Sequence, residues 1–271
     1  MPELPEVETT LRGITPHIVG KKIKTVIVRE NRLRLQIPDI IKTILPHQRI
    51  QQVQRRGKYL LIKCSKGYLL IHLGMSGSLW VLSSDTPVKK HDHLEIRFSE
   101  DFCLRYNDPR RFGCVLWTSE PILNHPLLIN LGPEPLETTF TGKYLHQNAK
   151  GRRIAIKNYL MDSHIVVGVG NIYANEVLFL TGIHPALAAG KISLKRYQCL
   201  AKTIKKVLNA AIEMGGTTLR DFTNGTGRPG YFQQSLQVYG RAGLACMQCE
   251  STIQKQIIGQ RATYYCPICQ R

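Results

Sequence analysis

The sequence predicts an α+β chain built in several parts, and three observations carry that reading. Residues 20–118 are dominated by short β-rich runs broken by turn residues. From about residue 142 the apolar spacing becomes helical. The C-terminal tail then carries four cysteines in two close pairs.

The chain opens MPELPEVETT, where Leu4, Val7, Leu11 and Ile14 recur on one helical face. Proline is tolerated in a first helical turn because its missing N–H would have no partner there. Glu3, Glu6 and Glu8 complement the positive end of the helix dipole. A well-formed helix start accounts for all of this. The same residues admit a chemical reading if the initiator methionine is removed, because Pro2 then carries the free amine. An α-amino group titrates near ~8 against ~10.4 for lysine, so roughly 10% of it is neutral at pH 7. A neutral secondary amine attacking a sugar carbon gives an iminium ion, which is an electron sink for eliminating groups β to that carbon. A neighbouring carboxyl group can act as the acid.

After this helix come GKYLLIKC and GYLLIHLGMSGSLWVL, both β-rich. Leu94, Ile96 and Phe98 alternate with Glu95 and Arg97. SED turns, and Phe102, Leu104 and Tyr106 alternate again, as in a hairpin with one buried face. Strands at this spacing predict a β-sandwich over residues 1–130. LGPEPLETTF supplies the prolines and turn residues of a linker, placed at 131–141. KYLHQNAK, IAIKNYLMDS, NIYANEVLFLTG and LKRYQCLAKTIKKVLNAAIEMGG give a helical domain over 142–235, which closes with the glycine-rich TNGTGRPGYF. The tail, 236–271, contains C-x2-C-x16-C-x2-C through Cys246, Cys249, Cys266 and Cys269. Two such knuckles suit one tetrahedral Zn²⁺ per chain, and a full set of four thiolates makes the metal structural. Cys64, Cys103, Cys114 and Cys199 sit among apolar residues and are expected as buried thiols.

The 37 basic and 19 acidic residues leave a net charge of +18, which points to a polyanionic partner, nucleic acid before a membrane surface. No run approaches the length of a membrane span, and no basic-then-apolar leader opens the chain, so a cytoplasmic location is expected.

Four further stretches could carry chemistry. SHIVVGVGNIYANEV places Asn171 at an expected helix N-cap, either a phosphate site or an ordinary helix hairpin. RRGKYL puts Lys58 at a strand entrance, either a solvated basic turn or a functional cation. NDPRRFG sets Arg110, Arg111 and Phe112 on a loop, where Phe112 is either core or a wedge for a base stack. HLGMSG holds Met75 between glycine-containing turns. His91 and His93 flank Asp92 and are read as polar contacts, because the cysteines already account for a metal.

Taken together, MPELPEVET, RRGKYL, HLGMSG, HDH, NDPRRFG, VGVGNIYANE, GRPGYF and the four-cysteine tail resemble bacterial formamidopyrimidine-DNA glycosylases, which repair 8-oxoguanine. The resemblance runs from Pro2 to Cys269. It implies a monomeric glycosylase and abasic-site lyase acting on damaged double-stranded DNA, with a β-sandwich, a helix–two-turn–helix domain and a zinc ribbon. It further implies Pro2 as nucleophile, Glu3 as acid, Lys58 in phosphate contact and proton transfer, and Arg261 at the ribbon hairpin on the phosphates around the lesion. Met75, Arg110 and Phe112 match the residues that fill the gap of a flipped nucleotide. His91, Arg152, Arg153, Lys157 and Asn171 match further DNA contacts, and 217–232 matches a loop that closes over the everted base. Two other readings are an endonuclease VIII-like enzyme for oxidised pyrimidines and a non-catalytic zinc-ribbon binder. The MSG and RRF elements and the long glycine-containing loop favour the purine enzyme.

Overall fold

A computed structural model describes residues 2–216 and 235–271. The chain divides into two units, one formed by residues 2–129 with 214–216 and the other by 130–213 with 235–271.

The first unit begins with helix α1 (Leu4–Ile18), whose buried residues include Leu4, Val7, Ile14 and Ile18. Leu11 is only partly buried but packs on the same core. Two four-stranded antiparallel sheets follow. One has the order β1 (Ile23–Val28), β6 (Asp92–Phe98), β7 (Phe102–Asn107), β5 (Ser78–Ser83); the other has β2 (Ile50–Arg56), β3 (Tyr59–Cys64), β4 (Gly67–His72), β8 (Cys114–Thr118). A short helix, α2 (Ile41–Ile44), lies between β1 and β2. A single core cluster takes Ile96, Phe98 and Leu104 from one sheet and Ile50, Leu60, Ile62 and Ile71 from the other, so the sheets form a sandwich. The expected hairpin is β6–β7, with Ile96 opposite Leu104 and Leu94 opposite Tyr106. GYLLIHLGMSGSLWVL splits at its glycines: β4 and β5 belong to different sheets, and the chain crosses between them through residues 73–77.

The outer face of β6–β7 is not solvated, although the alternation suggested it. Glu95 and Arg105 are both fully buried, and Arg105 lies 3.0 Å from Glu95 and 3.3 Å from Asp92. Arg29 and Arg97 approach the other edges of the Glu95 carboxylate at 2.8 and 2.6 Å. Period-2 spacing identifies which side chains share a face, but not whether something covers that face. Here the Thr86 and Pro87 carbonyls cover it and accept from Arg105.

The second unit contains α3 (Gly142–Ala149), α4 (Ile156–Met161), α5 (Asn171–Leu180) and α6 (Leu194–Glu213), then the hairpin β9 (Gln254–Ile258) and β10 (Arg261–Tyr265). Residues 172–179 of α5 are all buried, which makes it the core helix of this unit. The segment 131–141 lacks a helix or strand, yet it packs into the unit: Gly132 N–H donates to the Ser163 carbonyl and Phe140 is buried. Cys64, Cys103 and Cys114 are buried as expected, but Cys199 is exposed. On α6 the buried stripe runs through Tyr197, Leu200, Ala201 and Ile204, so position 199 falls on the outer face. Among the described residues, no helix is long and apolar enough to cross a membrane.

Burial pushes the Glu95 carboxyl up, but hydrogen bonds from Arg97 and Arg29 outweigh it and hold the group below its usual range. A depressed carboxyl stabilises the fold fully above its unfolded value, near ~4.3, and the contribution is lost as pH falls through the folded value. Arg105→Met should therefore cost about 3 kcal/mol at neutral pH, because it removes one partner of a buried pair. Glu95→Gln should flatten the acid limb of the stability curve. Urea titrations between pH 3 and 7 test both; wild-type curves from both variants would show that the network carries no net stability.

Candidate active site and nucleic-acid interface

Pro2, Glu3 and Glu6 are all buried. Glu3 is the N-cap of α1, and a capping box joins it to Glu6: the Glu3 side chain accepts from the Glu6 backbone, and Glu3 N–H donates to Glu6 Oε2 at 2.8 Å. The amide that Glu6 holds is the one that follows Pro2. The proline is therefore fixed just ahead of a helix start that carries two buried carboxyl groups.

Lys58 lies in the two-residue turn between β2 and β3, where Arg56 pairs with Tyr59. Gly57 takes φ 58°, the positive φ that a tight hairpin requires and glycine adopts without strain. Arg55 ties this turn to α1, donating to Glu8 at 3.0 Å and to the Gly57 carbonyl at 3.0 Å. His72, whose ring lies 4.7 Å from that of Tyr59 at a tilt of 53°, is pushed down to about 3 by burial and by the charges of Arg34 and Lys58. Its Nδ1 accepts from Gly74 N–H. His72 is thus a neutral acceptor beside the lysine turn.

Two loops of the same unit carry the remaining candidates. Phe112 is 46% exposed, which excludes the core reading. The Arg110 guanidinium stacks on its ring at 5.0 Å. Between them Arg111 adopts φ 57°, a left-handed residue in mid-loop. Met75 and His91 are half-buried, whereas His93 is buried, with Nε2 2.7 Å from the Asp108 carbonyl.

In the second unit the expected N-cap shifts by one residue. Gly170 is the cap, and Asn171 is the first residue of α5. Its side chain does not cap the helix; Nδ2 donates to the Ala262 carbonyl at 3.0 Å, while Oδ1 is buried without a partner. Lys157 is fully buried, and Nζ donates to the Ala262 carbonyl at 3.0 Å and to Thr263 Oγ1 at 2.7 Å. Asn175 Oδ1 accepts from Tyr264 N–H at 2.7 Å. Side chains from α4 and α5 thus hold three consecutive residues of β10, directly after Arg261. Arg261 is exposed and flanks the Gly259–Gln260 turn, whose φ values of 56° and 61° are those of a tight hairpin loop. Arg152 is exposed and stacks on Tyr159 at 5.8 Å, and Arg153 is exposed. Asn175 and Glu176 drew no notice in the sequence, because Asn and Glu within a helix carry no signal of a tertiary partner. Glu176 accepts from the N–H groups of Gln237, Val238 and Tyr239 at 2.8–3.0 Å, although burial pushes its carboxyl up.

The sulfurs of Cys246, Cys249, Cys266 and Cys269 lie within 4.8 Å of one another; among the described residues they are the one such group of potential metal ligands. Tetrahedral Zn–S bonds of about 2.3 Å require sulfurs about 3.8 Å apart. The Cys246–Cys269 and Cys249–Cys266 separations are 3.9 and 3.4 Å, so the donor set and its spacing fit the metal. Backbone N–H groups of Gln248 and Cys269 point at Cys246 and Cys266. Met1 and the loop 217–232 lie outside the described residues.

Two family descriptions match the chain: the Formamidopyrimidine-DNA glycosylase N-terminal domain over residues 1–115 and the Formamidopyrimidine-DNA glycosylase H2TH domain over 131–223. Proteins named formamidopyrimidine-DNA glycosylase from Methylococcus capsulatus and Magnetococcus marinus are 59% and 58% identical, with all of both chains covered. Among solved structures, a Lactococcus lactis FPG variant in complex with a Fapy-dG-containing DNA superposes with TM-score 0.93 at 36% identity over all of both chains. The Lactococcus lactis Fpg bound to an abasic-site-containing DNA gives 0.92 at 36% identity over 99% of each.

The polar seat of β10 yields a local prediction. Lys157→Met removes the hydrogen bonds to Ala262 and Thr263 together with the cost of burying an ammonium, so overall stability should change little. The Ala262–Tyr264 amides should nevertheless exchange about tenfold faster, the equivalent of one lost charged hydrogen bond. Hydrogen-exchange mass spectrometry of the ribbon decides this; unchanged protection would mean that the lysine does not hold the hairpin.

Proposed function

The chain belongs to the formamidopyrimidine-DNA glycosylase family, and on that premise we propose that its reaction runs through an iminium ion on Pro2. The enzyme is a base-excision repair glycosylase for oxidised purines and an abasic-site lyase, and its partner is damaged DNA. The observation that carries the proposal is the buried capping box that holds the Pro2–Glu3 amide beside two carboxyl groups.

A base stacked in a duplex shields C1′, so the nucleotide must first leave the stack, at a cost of a few kcal/mol. Cationic contacts to phosphate and wedge side chains offset that cost. Phe112 and Met75 are the wedge, and Arg110 supplies donors to the widowed base. His91, Arg152, Arg153 and Asn171 are assigned to the DNA backbone, while Lys157 acts by seating the ribbon hairpin. The Pro2 nitrogen then attacks C1′. The glycosidic electron pair leaves with the protonated purine, and Glu3 protonates the ring oxygen as the C1′–O4′ bond opens. The resulting iminium draws electrons from the C2′–H bond as that proton is removed. The new double bond expels the 3′ phosphate, and a second elimination expels the 5′ phosphate. Water releases the sugar fragment and restores the amine. Lys58 holds phosphate and moves protons at this centre, and Arg261 assists the second elimination from its place beside the ribbon turn.

We assign the four-cysteine group to one structural Zn²⁺. When bound it supplies the ribbon's missing core and no reacting group. Phe179, Val238 and Ile253 pack beside the cysteines, too small a cluster to fix a hairpin unaided.

Two outcomes test these assignments. Borohydride added during turnover on an 8-oxoguanine duplex should trap a covalent enzyme–DNA adduct whose linkage maps to Pro2, and a one-residue extension ahead of Pro2 should abolish it. An adduct on a lysine, or full cleavage by the extended protein, would end the Pro2 assignment. Cys249→Ser should lower bound zinc below one per chain and weaken DNA binding by about tenfold or more, through loss of ordered phosphate contacts. Metal analysis with DNA titration would refute the structural role if metal-free protein bound normally.

A further inference from the structure

We propose that Asp108 is the positioning residue that makes the enzyme read the base opposite the lesion, by holding both wedge loops through a single buried carboxylate. The inference rests on the assignment of Met75, Arg110, Phe112 and His91 to DNA.

Asp108 is fully buried. Its Oδ1 accepts from Ser76 Oγ at 2.6 Å, and its Oδ2 accepts from Tyr106 OH at 3.0 Å and from Gly113 N–H at 2.9 Å. Ser76 Oγ in turn accepts from Arg110 N–H at 3.1 Å. The backbone of Asp108 extends the same hub: its N–H donates to the His91 carbonyl at 3.1 Å, and its carbonyl accepts from Arg111 N–H at 3.2 Å. Met75, Arg110, Phe112 and His91 are therefore each within one residue of an anchor on this one side chain or its peptide. Met75 adjoins Ser76, Phe112 adjoins Gly113, and Arg110 and His91 are held through their own backbone.

The chemistry suits the task. A carboxylate offers strong acceptors and no donor, and Ser76, Tyr106 and Gly113 all donate to it here. The loops lack a strand ladder that could set their separation. The hydrogen-bonded ends of β4–β8 and β5–β7 stop at His72–Cys114 and Ser78–Asn107, just short of the wedge residues. Beyond those pairs, Asp108 joins the 73–77 turn to the 108–113 loop. Gly74 and Gly113 allow the two backbones to approach, because a Cβ on Gly74 would strike Phe112 and Gly113, and one on Gly113 would strike Tyr106 and His72. The separation of Met75 from Arg110 and Phe112 is thus set by the carboxylate. Asp108 touches no DNA in this scheme and acts through the loops.

Three variants test the idea. Asp108→Ala frees both loops. Asp108→Asn keeps the shape but must present an amide N–H₂ to a donor. Ser76→Ala releases Arg110 and the anchor beside Met75 while leaving Gly113, and hence Phe112, held. Single-turnover excision of 8-oxoguanine opposite each of the four bases reads discrimination, and 2-aminopurine next to the lesion reads wedge insertion. Cleavage of an abasic site in single-stranded DNA, where no stack or partner base exists, is the control. Asp108→Ala should lose about tenfold or more in duplex excision and most of both signals, with Asp108→Asn intermediate. Ser76→Ala should lose discrimination yet retain the part of the 2-aminopurine signal that Phe112 supplies, a split that general loosening of the fold cannot produce. Single-strand cleavage should be unchanged throughout. Parallel loss on single and double strands, or full discrimination in Ser76→Ala, overturns the proposal. Arg110→Ala separates the two levels: if it leaves discrimination intact, the DNA assignment falls and this inference with it. If Arg110→Ala abolishes discrimination and Ser76→Ala does not, only the positioning role falls.

Discussion

Residues near a chain terminus are poorly ordered unless something ties them down, and the reaction proposed for Pro2 depends on such a tie. The capping box of α1 answers that constraint. Glu6 takes the amide after Pro2, and Glu3 takes the amide of Glu6. The helix is in turn sunk into the sandwich core through Val7, Ile14 and Ile18. The same two carboxyl groups that finish the helix stand next to Pro2, so on the proposed mechanism fold stability and chemistry draw on one set of contacts. The Lys58 turn is fastened to this helix by Arg55 and Glu8, which extends the fixed region from the amine to the cation.

The device recurs wherever function sits on irregular backbone. Loops lack the ladder that satisfies N–H groups in sheets, and a buried acceptor can replace it. Asp108 does this for the 108–113 loop and Glu176 for the entry to the ribbon, while Asn175 and Lys157 add side-chain anchors to the strand β10. Each is an element-borne or element-flanking group, and several of the candidate binding residues lie beside segments held in this way.

Much of this was legible in the sequence, and the reasons are physical. Period-2 spacing identified the β6–β7 face, helical spacing identified α1 and α6, and paired cysteines identified the ribbon, because each is a local repeat. What escaped was tertiary. Glu95 and Arg105 looked like the solvated side of a hairpin, and nothing local reveals that Thr86 and Pro87 cover it. Cys199 looked buried from its neighbours' hydrophobicity, although its helical phase points outward. Asn171 was placed one residue early, as a cap, because a Gly-Asn pair fits either register; its amide reaches Ala262, a partner 91 residues away. Among the candidate site residues, Pro2, Lys58 and the cysteines stand out by motif, and Arg261 enters only through the family resemblance. Those that position them, such as Asp108, Asn175 and Glu176, were not, since one buried acceptor looks like any other Asp, Asn or Glu until its donors are known.

Burial also redistributes charge in a way that the net +18 conceals. Among the described residues, Glu3, Glu6, Asp92, Glu95, Asp108, Glu134 and Glu176 are buried, whereas Arg105 and Lys157 are the buried cations. Acids are used inside to hold arginines and backbone donors, and bases are left outside. The surface is therefore more basic than composition implies, which strengthens attraction to a polyanion and makes it salt-sensitive. The interior acids are committed as well: Glu6 holds the backbone amide that follows Pro2, Glu176 the entry to the ribbon and Asp108 the 108–113 loop. A basic exterior and internally committed carboxylates thus divide the charge by sign, so that attraction to a polyanion is not weakened by acids that the fold itself consumes.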